Sequence, residues 1–114
     1  MAKGKLTNIV GAISKRLFQQ ASYTVSNTVT LTLPFTPAEG QTYLVFFLYY
    51  TGADSIAMDI RTVNYVNASA VRSAWLVKNS SYNLNGIIPS GNNLTFSFNE
   101  TVYVSTFFVR INNF

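Results

Sequence analysis

From Tyr23 onward the chain alternates apolar and polar residues. Tyr23, Val25, Val29, Leu31 and Leu33 interleave with Thr24, Ser26, Thr28, Thr30 and Thr32. Period two predicts a strand with one buried face and a threonine ladder on the other. Pro34, Pro37 and Glu39-Gly40 end it in a turn. Thr42 to Thr51 predicts a strand apolar on both faces, carrying Tyr43, Leu44, Val45, Phe46, Phe47, Leu48, Tyr49 and Tyr50. Gly52-Ala53-Asp54 is the next turn. Ser55 to Val66 sets Ile56, Met58 and Ile60 against Asp59 and Arg61, and a slip of phase near Thr62 predicts a bulge. Ala70 to Lys78 predicts a strand with Val71, Trp75 and Val77. Asn79 to Gly86 reads as a polar loop, Ile87-Ile88 as a short apolar piece, and Pro89-Ser90-Gly91-Asn92-Asn93 as a turn. Leu94, Phe96 and Phe98 alternate again. Thr101 to Ile111 is apolar on both faces, with Val102, Val104 and Phe108 against Tyr103, Phe107, Val109 and Ile111.

Before Gln19-Gln20 the period is different. Leu6, Ile9, Val10, Ile13, Leu17 and Phe18 recur three and four residues apart, as on one face of a helix. Lys3, Lys5, Lys15 and Arg16 make this segment basic. The expected organisation is an amphipathic arm at 1–20 followed by one β domain at 21–114. A helix this short is marginal alone and needs a surface to lie on.

Short strands punctuated by turns predict an all-β fold: a single β-sandwich or jelly roll of about six to eight antiparallel strands. A sandwich strand buries one face and wets the other. The strands at 43–50 and 101–111 break that rule. Phe46, Leu48, Tyr50, Tyr103, Phe107 and Val109 are therefore candidates for an interface between subunits. A strongly curved barrel, burying more than half of each strand, is the competing explanation.

Composition narrows the chemistry. The chain has 114 residues, a length typical of one domain, and only 11% of them are charged, so Ser, Thr and Asn must make the surface. It has no Cys and no His, which removes disulfides, thiolate chemistry and the commonest general base and metal ligand. Ser14-Lys15 lacks the spacing of a nucleophile and its base. Glu39, Asp54, Asp59 and Glu100 are scattered, so no paired carboxylates or cation cage is expected. No catalytic residue, metal site or cofactor is expected. The net charge of +4 comes from the arm, because Arg61, Arg72, Lys78 and Arg110 balance the four acids. A neutral body argues against nucleic acid. The basic arm ranks an anionic membrane surface third among readings. No apolar run is long enough for a transmembrane helix, and no secretory signal is recognised. Tyr65, Trp75 and Tyr82 near turns or strand ends are candidates for a sugar-stacking platform. For Trp75 the competing assignment is core.

The segments 23-YTVSNTVTLTLPF-35, 43-YLVFFLYY-50 and 101-TVYVSTFFVRINNF-114 together resemble small β-sandwich proteins of bacteriophage particles, such as tail-fibre tips and capsid decoration proteins. The resemblance lies in organisation and transfers no functional residue. It implies side-by-side packing, often as trimers, attachment to other virion proteins through Lys3 to Gln20, and a location in the virion. The expected function is a non-enzymatic virion structural protein, and the alternative is a carbohydrate-binding, lectin-like receptor domain.

Overall fold

The computed structural model describes the backbone of residues 18–20 and all of residues 23–113. Seven strands form in chain order: β1 (Phe18–Gln20), β2 (Thr24–Thr32), β3 (Thr42–Gly52), β4 (Ser55–Asn67), β5 (Ala70–Val77), β6 (Leu84–Ser90) and β7 (Asn93–Arg110). Every pairing is antiparallel. The protein is all-β, and its strands belong to one hydrogen-bonded sheet in the order β1-β7-β3-β4-β5, with β2 and β6 also on β7.

β7 organises the sheet. Its first part, Asn93 to Phe98, lies between β2 and β6. Its second part, Val102 to Arg110, has β3 on one side and β1 with the start of β2 on the other. Between them Asn99, Glu100 and Thr101 are exposed, and β2 answers with a register shift between Ser26 and Thr28. The sheet turns there and curls over itself. Phe47 of β3 consequently meets Phe96 and Phe98 of β7, with ring centroids 5.1 and 5.7 Å away. The buried core joins Val29, Leu31 and Leu33 with Tyr43, Val45, Phe47 and Tyr49, and with Leu94, Phe96, Val102, Val104 and Phe108.

Four expectations change. Residues 18–20 are extended along β7, so Phe18 belongs to a strand and not to a helical face; an open sheet edge supplies the hydrogen bonds that an isolated helical turn lacks. Lys3, Lys5, Leu6, Ile9, Val10, Ile13, Lys15, Arg16 and Leu17 lie outside the described residues. Tyr23 and Val25 are half exposed although Val29, Leu31 and Leu33 are buried, because the shift after Ser26 moves the two ends of β2 onto opposite faces. β4 runs against β3 in unbroken register past Thr62, and the irregularity expected there lies instead on its other edge, where the pairing with β5 shifts between Ile60 and Arg61; the inward face also carries Asp59 and Arg61 before Val63 and Tyr65, which adds to the slip of phase. Finally, β6 starts at Leu84, inside the expected polar loop, and extends through Pro89 to Ser90. Proline is tolerated there because β6 pairs only with β7 among the described strands and leaves one edge unbonded.

Candidate functional site

Residues paired across a ladder share a face. The β7–β3–β4 registers therefore define rows on the outer side of the curl: Val109–Leu44–Thr62, Phe107–Phe46–Ile60 and Ser105–Leu48–Met58. Ile56 sits opposite Tyr50, and Val25 opposite Tyr103, at the end of the same face. None of these side chains is charged. Phe46 and Phe107 stack with ring centroids 4.7 Å apart and planes 8° from parallel. Tyr50 packs edge-on to Tyr23 at 5.5 Å and shares a hydrogen bond with Ser105 at 3.3 Å. Ile56, Tyr103 and Tyr50 remain exposed at 68%, 48% and 41%. All six interface candidates, Phe46, Leu48, Tyr50, Tyr103, Phe107 and Val109, thus fall on one apolar surface. The sequence reading missed Leu44, which alternation along β3 already puts on this face, and Met58 and Ile60, which only the register of β4 brings alongside. β1 enters along this surface, its backbone opposite Phe107 to Val109.

The sugar-platform candidates do not come together. Tyr65 is buried in the core and edge-on to Tyr43, so it offers no ring to solvent. Trp75 packs edge-on to Phe47 at 6.0 Å, and its ring carries the Arg61 guanidinium at 4.6 Å and the Lys78 ammonium at 5.4 Å. Its π face is taken by cations. Tyr82, half-buried like Trp75, leans on Tyr49 at 4.8 Å and, with Tyr50, Thr51, Gly52 and Tyr103, lines a shallow cleft of about 390 Å³.

Beneath Tyr82 is a buried polar cluster. Asp59 faces inward from β4 and accepts hydrogen bonds from the Asn79 N–H at 2.7 Å, the Ser80 N–H at 2.9 Å and the Ser80 hydroxyl. Lys78 Nζ stands 3.4 Å from Oδ2, the oxygen that also accepts the Ser80 hydroxyl. Burial pushes the Asp59 carboxyl upward, but the Ser80 and Asn79 hydrogen bonds and the Lys78 charge outweigh it, and the net shift is downward. This carboxylate ties the loop after β5 to the sheet. Its lone pairs are taken, so it is no general base. Burial, with the Asp59 charge beside it, also holds the Tyr49 phenol far above its ordinary range.

Among the described residues no group of three or more acidic side chains is placed to hold a metal ion, and no helix is long and apolar enough to cross a membrane. Comparison with protein-family models, curated proteins and solved structures finds no match.

Proposed function

We propose that the chain is a non-enzymatic structural protein that assembles with further copies of itself through the outer face of β7, β3 and β4. The observation that carries the reading is the uncharged apolar surface around the stacked Phe46 and Phe107. Apolar patches of this kind on soluble domains mark interaction sites. Like charges oppose self-association; with no charged residue in these rows, a second copy meets the patch without repulsion. In this reading the curled sheet is a sandwich-type virion domain of the capsid-decoration or tail-fibre kind, trimeric in the assembled particle. The basic segment before β1 attaches to neighbouring virion proteins.

Sedimentation velocity on the full chain across a range of concentrations tests the reading. The expected result is a species heavier than the monomer that dissociates on dilution. The variant Phe46→Ser with Phe107→Ser is expected to stay monomeric with an unchanged far-ultraviolet circular dichroism spectrum. A wild-type chain that is monomeric at every concentration contradicts it.

A second reading, a carbohydrate-binding receptor domain, is favoured by the cleft of Tyr50, Tyr82 and Tyr103, where phenol rings border Thr51 and the backbone of Gly52. A neutral-glycan array on wild type and Tyr82→Ala tests it: binding lost in the variant supports a sugar site, and no glycan bound by wild type removes it.

A further inference from the structure

The cleft between β5 and β6 contains a cation that no acid neutralises. β5 ends the strand order and β6 pairs only with β7, so the edges of the two strands that border this cleft have no ladder between them. Val71 and Ser73 of β5, and Leu84, Asn85, Gly86 and Ile87 of β6, line a cavity of about 290 Å³. Arg61 reaches into it from β4. Its Nε donates to the Ser73 hydroxyl, which donates in turn to the Thr62 carbonyl at 2.6 Å. Trp75 supports the guanidinium from one side at 4.6 Å.

The side-chain acids of the chain are Glu39, Asp54, Asp59 and Glu100, and all lie among the described residues. One ion pair forms there, and it joins Asp59 to Lys78. Arg61 has no carboxylate, and the two amino ends of its fork have no hydrogen-bond partner among the described residues. Burial depresses its pKa, which is the effect of desolvation with no compensating acid. A partly desolvated guanidinium is costly, and a planar oxyanion satisfies its fork with two parallel hydrogen bonds.

We propose that the β5–β6 cleft binds a small organic oxyanion, held by the Arg61 guanidinium and seated between Ser73 and Asn85. Its volume is at the lower end for small-molecule sites and suits a single sugar ring bearing a carboxylate or phosphate. Val71, Leu84 and Ile87 offer the ring an apolar wall. None of these residues belongs to the outer face, so the site stands independently of the assembly reading.

Trp75 is the one tryptophan, and it touches Arg61, so its fluorescence reports the cleft. The full chain is titrated with glucuronate, with glucose 6-phosphate, and with glucose as the uncharged control. The expected result is a saturable change with one of the two anions and none with glucose, weakening as sodium chloride is raised. The anion that acts identifies the class. Two variants separate binding from folding. Arg61→Gln removes the charge. Gly86→Leu fills the cleft from the other wall, where an added Cβ meets nothing within 4 Å. Each is expected to weaken binding at least about tenfold, a loss of about 1.4 kcal/mol. No saturable change with either anion, an equal response to glucose, or wild-type affinity in a folded Gly86→Leu overturns the proposal.

Discussion

Phe46 stacks on Phe107 across the β3–β7 ladder at 4.7 Å, and both rings stand on the outer side of the sheet. The next residue in β3, Phe47, is fully buried against Phe96. One strand thus supplies two aromatic surfaces, one facing inward in the core and one facing outward.

That division predicts opposite outcomes for adjacent substitutions. Phe47→Ala should cost about 3–5 kcal/mol of stability, because it empties the centre of the core. Phe46→Ala should cost about 1 kcal/mol, the worth of an aromatic pair, and should weaken self-association instead. Urea unfolding measures the first, and sedimentation measures the second.

Asp59 makes stability depend on acid. Its folded pKa lies below the ordinary carboxylate value, so its contribution is complete above about pH 5, where the unfolded group is largely ionised, and is lost as pH falls through the folded value. Unfolding free energy measured between pH 6 and about pH 2 should decline at the low end. Asp59→Asn should flatten that decline and cost on the order of 3 kcal/mol at neutral pH, since it weakens the hydrogen bonds to the loop and leaves Lys78 unpaired.

Tyr43 acts at the alkaline end. Burial raises its phenol to about 12, although Arg110 pulls it down. A raised pKa contributes stability below the unfolded value, about 10, and that contribution disappears as pH rises through about 12. Tyr49 and Tyr65, raised further by burial, act in the same direction. Tyrosinate absorbance should show these three ionising together with unfolding, and Tyr43→Phe should reduce the alkaline loss while removing the 2.9 Å hydrogen bond to Gln41.

The glycines divide by backbone geometry. Gly40 has φ +83°, and an added Cβ would stand 3.0 Å from the Asn113 amide nitrogen. Gly40→Ala should therefore cost about 1–2 kcal/mol. Gly86 lies in β6 beside open space and has no positive φ, so Gly86→Ala should be neutral or mildly stabilising. Thermal melts compare the two.

Strand positions and strand faces were legible wherever period two was unbroken. In Tyr43 to Tyr50 and Val102 to Val109 each face follows from alternation alone, which is why six interface candidates read from sequence share one surface. Three features required the tertiary structure. The change of face along β2 depends on extra residues in its partner, β7, which its own pattern does not carry. The inward Asp59 resembles a break in phase, because its compensation by Ser80 and Lys78 comes from a loop some twenty residues later. Leu84 to Gly86 carry too few apolar residues to read as a strand, and form one because the edge of β7 offers hydrogen bonds. For the sugar platform, burial took Tyr65 and cations took Trp75, leaving Tyr82 beside tyrosines first read as interface.

The outer face can be tested by distance. The chain has no cysteine, so a single introduced thiol carries a spin label at one chosen place. Electron–electron dipolar coupling is measured between molecules labelled at Tyr103→Cys, on the outer face, and at Ser81→Cys, in the exposed loop after β5. Assembly through β7, β3 and β4 predicts a defined intermolecular distance for the label at position 103 that vanishes when Phe46→Ser and Phe107→Ser are added. A label at position 103 with no intermolecular coupling at any protein concentration contradicts the account.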